Sequence, residues 1–340
     1  MTRRPTLKDV AARAAVSYQT VSKVINGTSR VPPTTEERIW TAVRDLNYVP
    51  SEQGRNLRTR RSGMIGYSWR STDPAITPSP VMDEFLTAMV GEAEAAGYYL
   101  LPFSRDTVDG QVNDYRRLIS SGRVDGFVLS SLDYDDPRLS YLLAEGFPFV
   151  AFGRSDPFVD FPFVDIDGGA GLLQVVDHLV SRGHRRIALA GLPEASRVGD
   201  DRLQGYLDGL RRHGLPIDLR LVVRGEDSVE GGRRAMSGWL GTGGTADRPT
   251  AVAAMSDTIA IGVMEVVRAR GLVVGSEIAV TGFDDAPMSR YLEPKLTTVR
   301  QPLREAGHQA IQAIARLIEG QPLDARHVLL VPKLIVRESS

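Results

Sequence analysis

Apolar residues recur at two different periods along this chain, and the period changes near residue 62. Leu7, Val10, Ala11 and Ala14 fall at i, i+3, i+4 and i+7, which predicts a short helix burying one stripe. Thr6 and Asp9 at its start read as a capping box. The pattern breaks at Ala15-Val16, Ser17 suits an N-cap, and Val21, Val24 and Ile25 gather on one side of a second helix. At roughly 100° per residue, Tyr18, Gln19, Ser22 and Lys23 occupy an arc centred roughly 140° from that side. Asn26-Gly27 stops the helix. A third, capped by Thr34 with Glu37, turns Ile39, Val43 and Leu46 inward. Two short helices around a tight turn, with a third in support, predict a helix-turn-helix head.

From Gly63 onward, apolar runs of strand length alternate with helical patterns. MIGYSW, YYLLPF, DGFVLSS, FPFVAFG, FVDID, RRIALAG, AVAAMS and EIAVTGF are separated by stretches such as MDEFLTAMVGEAEAAG, GLLQVVDHLVSRG and TIAIGVMEVVRARG. This alternation predicts doubly wound parallel sheets, and its length predicts two such lobes. Open α/β sheets bind ligands beyond the C-terminal ends of their strands, a rule that selects Trp69, Arg70, Ser130, Arg154, Asp257 and Asp284.

Composition narrows the class. The 340 residues are 42% hydrophobic and 24% charged, which fits a soluble globular protein of two or three domains. No apolar run reaches the roughly 18–20 residues of a membrane helix, and no signal-peptide pattern opens the chain, so a cytoplasmic location is expected. The absence of cysteine excludes disulfides, thiol catalysis and cysteine-ligated zinc. The net charge of −1 is split: residues 1–62 carry 12 Lys and Arg against 5 Asp and Glu, and the remainder 29 against 37. A basic head on an acidic body points to the phosphate backbone of DNA. The outward set of hydrogen-bonding side chains on the second helix points to base edges in the major groove.

Asp167-Gly168-Gly169-Ala170-Gly171 reads as a helix entry turn rather than a phosphate cradle. His178 and His184 lack carboxylates at metal spacing, and no nucleophile-base set or pair of catalytic acids emerges. No metal, no cofactor and no enzymatic activity are expected.

The stretches TLKDVAARAAVSYQTVSKVING and RVPPTTEERIWTAVRDLNYVPS resemble the head of the LacI/GalR family of transcription regulators. FGR at 152–154, VDIDGGAG, HLVSRGHRRIALAG, DDRLQGYLDGL, SDTIAIGVMEVVRARGL and GFDDAP…LEPKLTTVRQP resemble its body, which shares the periplasmic binding-protein fold. The resemblance implies base reading by Tyr18, Gln19 and Lys23, with phosphate contacts from Thr6, Ser17, Thr20, Ser22, Asn26 and Thr35. Lys23 can donate to guanine but lacks the bidentate fork of arginine.

The same resemblance implies a head over 1–49, a hinge over 50–62 and an effector-binding, dimerising body over 63–340. Lobe one is expected at about 63–160 plus 287–319, and lobe two at about 161–286 plus 320–340. In the hinge, Leu57 stands among Arg55, Arg58, Arg60 and Arg61, as a minor-groove wedge does. Gly54 weakens that segment's helix propensity by about 1 kcal/mol. In the body, the resemblance places Arg202 and Asp257 against the hydroxyls of a sugar, with Arg154, Trp69, Arg70 and Asp284 around them. Salt bridges within a lobe, or a core place for Trp69, are the structural alternatives. Asp227 stands where the family carries a stacking aromatic. The expected function is a homodimeric repressor of carbohydrate-utilisation genes, bound to a palindromic operator and released by a mono- or oligosaccharide. Purine or other co-repressor control is the alternative, and a sugar-transport protein is a distant one.

Overall fold

The structure, a computed structural model, describes residues 5–25, 31–48, 61–70, 80–105, 108–194, 196–241 and 248–340. The chain separates into two compact units, 1–62 and 63–340.

The first unit holds α1 (Leu7–Ala14), α2 (Tyr18–Ile25) and α3 (Pro33–Asp45). Their shared core is Val10, Ala11, Ala14, Val21, Val24, Ile39, Ala42 and Tyr48; of the expected stripes, Leu7, Ile25, Val43 and Leu46 pack partly buried against it, while Ala42 and Tyr48 are additions. Asp9 accepts from the Thr6 backbone N–H and from its hydroxyl, each at 2.7 Å. Ser17 caps α2 by accepting from Thr20 N at 3.1 Å. The third cap differs from expectation: α3 begins one residue before Thr34, with Pro33 in its first turn and no side-chain cap. Proline loses nothing there, because the N–H it lacks has no helical partner at that position. Ala15 ends α1 in the left-handed region (φ 52°), and Arg38 of α3 donates to the carbonyls of Ala14 and Ala15. One guanidinium thus satisfies orphan carbonyls of α1 while binding it to α3.

The second unit carries two six-stranded sheets. The first has the order β11-β5-β4-β3-β1-β2, where β1 is Met64–Arg70, β2 Tyr99–Arg105, β3 Gly126–Leu129, β4 Phe149–Phe152, β5 Phe163–Ile166 and β11 His327–Leu330. The second has the order β12-β10-β9-β8-β6-β7, with β6 Ile187–Gly191, β7 Val222–Arg224, β8 Ala251–Ala254, β9 Ala279–Asp284, β10 Thr297–Arg300 and β12 Lys333–Ile335. Pairing is parallel throughout, except that β12 runs antiparallel to β10. β3, β6 and β8 are buried at every position, as strands covered on both faces require. Helices α4 (Pro80–Ala95), α5 (Val108–Ser120), α6 (Pro137–Glu145) and α11 (Leu303–Ile318) belong to the first lobe. Helices α7 (Gly168–Ser181), α8 (Arg197–Arg212), α9 (Val229–Gly241) and α10 (Asp257–Ala269) belong to the second. No helix among the described residues is long and apolar enough to cross a membrane.

The lobes divide differently from the expected boundaries. β5 extends the first sheet past residue 160; β10 pairs with β9 in the second sheet; and β11 pairs with β5 in the first. Residues 297–300 therefore leave lobe one for lobe two, and 327–330 do the reverse. Each of these strands gains a parallel ladder on an otherwise open edge, a pairing that no local pattern announces. The chain accordingly passes between lobes three times, after β5, after β10 and between β11 and β12.

Candidate nucleic-acid interface and ligand cleft

On the head, Tyr18, Gln19 and Lys23 are exposed along one side of α2, and Tyr18 keeps half its surface. The side opposite, Val21 and Val24, is buried, which fixes the outward direction of the three. Ser17 and Thr6 are exposed; Thr20, Ser22 and Thr35 are half-buried, with the Thr20 hydroxyl 2.8 Å from that of Ser17. The structure thus brings the three base-reading candidates and the hydroxyls of Ser17, Thr20 and Ser22 together on α2 and its N-cap. Asn26 and Leu57 lie outside the described residues.

In the body, the strand-end rule leads to a cluster at the ends of β8 and β9. Arg202 on α8 is buried, and its guanidinium carbon sits 3.7 Å from the centre of the Phe283 ring. Its Nη1 donates to the Met255 carbonyl, and its Nη2 lies 3.9 Å from Asp284 Oδ1. Its buried Nε has no hydrogen-bond partner. Burial pulls the guanidinium's pKa down, opposed by the carboxylates of Asp284, Asp227, Asp165 and Asp257. Asp284 accepts from Gln301 Nε2 at 2.7 Å, and burial pushes its carboxyl up to about 7, with Arg202 pulling the other way. Asp227 is exposed and accepts from Ser256, which in turn caps α10 through Ile259 N at 3.1 Å.

The backbone beneath this cluster is strained. Asp284 and Asp285 have φ of 121° and 53°, a region that non-glycine residues rarely occupy. The strain is held by charge: buried Asp285 accepts from Arg337 at 2.5 Å and from Arg300 at 2.7 Å.

The expected site residues separate on these facts. Arg202 and Asp284 come together. Asp257 is 3% exposed, its Oδ1 accepts from Thr298 Oγ1 at 2.5 Å, and its Oδ2 accepts from Ala286 N at 2.7 Å. With both oxygens satisfied inside lobe two, it braces the loop after β9. Arg154 is likewise committed, with Nε 2.7 Å from Asp165 and Nη2 on Asp201. Trp69 is half-buried at the end of β1, tilted 32° to Tyr67 at 5.4 Å between centroids, so one part of its ring stays open. Arg70 ends β1, and its side chain lies outside the described residues. Ser130 is fully buried against the Tyr67 hydroxyl at 3.0 Å. Phe283, Gln301 and Ser256 were missed by sequence reasoning. Phe283 stands one residue before the selected Asp284, on the neighbouring position of the same strand.

A profile described as bacterial regulatory proteins of the lacI family matches residues 6–51, and one described as a periplasmic binding protein-like domain matches 176–340. The transcriptional regulator CelR of Thermobifida fusca is 33% identical over 99% of this chain and 98% of its own length. Among solved structures, a LacI-family regulatory protein from Chloroflexus aggregans is 50% identical (TM-score 0.78; 82% of this chain, 98% of that one). The CelR–cellobiose complex is 31% identical (TM-score 0.76; 99% and 100%). The lac repressor dimer bound to operator and the anti-inducer ONPF is 28% identical (TM-score 0.85; 99% of both). With a helix-turn-helix head, two parallel-sheet lobes and full-length similarity of this extent, the chain belongs to the LacI family of DNA-binding transcriptional regulators.

Proposed function

We propose that this regulator is a cytoplasmic repressor that acts as a homodimer on a palindromic operator and senses a mono- or oligosaccharide in its cleft. One observation carries the choice of ligand. Arg202 is buried, stacked on Phe283 and beside Asp284, yet its Nε has no partner. A buried donor left unpaired costs about 1–3 kcal/mol, which a ligand oxygen recovers. A planar fork of donors next to a carboxylate acceptor matches adjacent hydroxyls, and the open part of Trp69 offers a face for a sugar ring. The relatives support the class, since one solved neighbour holds cellobiose. Calorimetric titration of the full chain with cellobiose and a panel of other saccharides, with purines as the contrast, tests the assignment. A purine that binds where every saccharide fails would replace it.

The ionisation of Asp284 gives the cleft a pH signature. A carboxylate accepts from sugar hydroxyls more strongly than its protonated form does, so affinity is expected to rise with pH through about 7, with protons released on binding. Asp284→Asn should flatten that dependence. For the unliganded protein the sign is opposite. Between the ordinary carboxylate range and about 7 the folded state holds a proton that the unfolded state has lost, so this residue's contribution to stability falls as pH rises through the window.

On DNA, a Gln19→Ala head is expected to lose about 1–3 kcal/mol on the cognate half-site and little on random duplex, since Gln pairs with adenine through two hydrogen bonds. Fluorescence anisotropy with both duplexes measures this; equal losses would remove Gln19 from base reading. Linkage between cleft and operator is expected at about 1–3 kcal/mol, equal in both directions.

A further inference from the structure

Arg154 is spent on a contact between the lobes. It follows β4 in the first lobe, and its Nη2 meets Asp201 Oδ2 on α8 of the second. The other oxygen of Asp201 is held by Arg197, one turn earlier on the same helix. Arg197 itself reaches back into lobe one: its Nε donates to the Ser155 carbonyl at 3.2 Å, and its backbone N–H to Asp133 at 3.3 Å. Beside it, the Tyr134 hydroxyl donates to Asp200 at 2.9 Å, and the Tyr134 ring lies 6.0 Å from the Arg197 guanidinium carbon. Asp200 also accepts from Arg224 of β7 at 2.5 Å. The first turn and a half of α8 is therefore gripped by the loops that follow β3 and β4.

We propose that Arg154, Arg197, Tyr134, Asp200 and Asp201 form an interlobe clasp that sets how readily the two lobes part. The assignment rests on the reading that the cleft closes around an effector, and it describes the regulation of that site. Its logic lies in the distribution of partners. Opening the lobes separates Arg154 from Asp201 and Tyr134 from Asp200. Arg154 then keeps Asp165, Asp201 keeps Arg197, and Asp200 keeps Arg224, each in its own lobe. No charge is stranded in either state, so the clasp can release without the penalty of an unpaired buried ion. Side-chain exposures of 15–22% for Arg154, Arg197 and Asp201 leave the network within reach of salt. Clasp strength and effector affinity then share one equilibrium: the population of closed lobes before binding scales the apparent affinity directly.

The absence of cysteine makes the test direct. Cysteines placed at the exposed positions Glu145 of lobe one and Arg211 of lobe two carry spin labels in the full chain without background. Pulsed electron spin resonance then reads the interlobe distance in the ligand-free protein. Against the parent, Asp201→Asn and Tyr134→Phe are expected to raise the longer-distance population several-fold; Asp201→Glu should restore most of the closed form. Potassium chloride at high concentration should act on the parent as Asp201→Asn does. If Asp201→Asn fails to fold, Tyr134→Phe, which removes one hydroxyl, carries the test. Parent-like distance distributions in the folded variants, at low and high salt, overturn the clasp. Titration with cellobiose is a separate measurement. Its failure bears on the choice of ligand and leaves the ligand-free distances to decide the clasp.

Discussion

Replacing Arg202 with alanine is expected to weaken effector binding by about 2–5 kcal/mol, the loss of one or two hydrogen bonds from a charged donor at about 1.5–3 kcal/mol each. That corresponds to about 30-fold to several-thousand-fold in Kd. Three interactions go at once: the donors to the ligand, the stack on Phe283 and the counter-charge of Asp284. The fold should survive, because Asp284 already holds its proton up to about 7 and without Arg202 it stays neutral to still higher pH. Arg202→Lys separates the contributions, since it keeps the charge and loses both the planar fork and the stack. Its affinity should fall between parent and alanine. Calorimetry with the best saccharide of the panel reads all three proteins. An alanine variant that binds as tightly as the parent would remove Arg202 from the site.

The second large effect is on stability. Gly205 lies on α8 three residues after Arg202, where the helix crosses α7 at backbone contact: a β-carbon there would stand 2.0 Å from the Gly169 carbonyl oxygen. A carbonyl of the helix backbone cannot turn aside as a side chain does, so Gly205→Ala must push the helices apart. Overpacking of this kind costs about 1–3 kcal/mol and occasionally more, with this site at the upper end. Thermal unfolding followed by circular dichroism should show Tm falling by on the order of 5–10 °C. Because α8 also carries Arg202 and Asp201, the same variant should loosen the cleft and the clasp. Gly238→Ala supplies the control of opposite sign. It sits in α9 with open space around the added carbon, so it should gain about 0.5–1 kcal/mol of helix propensity. A Gly205→Ala protein that melts with the parent would show that the helices yield at no cost.

The head was legible from spacing alone, because both the stripes and the caps at Thr6 and Ser17 are local features. The two sheets were legible as well, since strands buried on both faces print continuous apolar runs such as IALAG and AVAA. Lobe membership was not. TTVR of β10 and HVLL of β11 carry no mark of the sheet they join, and each finds its neighbour at a distance, at Thr281 or at Phe163. Hydrogen bonding in the cleft is set at a distance in the same way. Asp257 reads as an available carboxylate until Thr298, 41 residues downstream, occupies it. Arg154 reads as an available fork until Asp201, 47 residues on, does so. Strand ends select one surface, but which side chains stay open there depends on hydrogen bonds that only the folded chain assembles.

The three passages between the lobes determine what kind of motion the molecule can perform. They leave from β5, β10 and β11 and lead on to α7, α11 and β12, so all three gather at one edge of the paired sheets. The first and third are also tied together: Asp167 N–H donates to the Leu330 carbonyl at 2.8 Å, and Gln174 accepts from Leu334 N and donates to the Pro332 carbonyl. Pro302 and Pro332 stiffen two of them. One strap would let the lobes swivel and slide; three straps side by side behave as the leaf of a door. Twisting and shearing are resisted, and rotation about the strap line is the soft coordinate. Binding energy released in the cleft is thus expected to appear mainly as rotation about that one line.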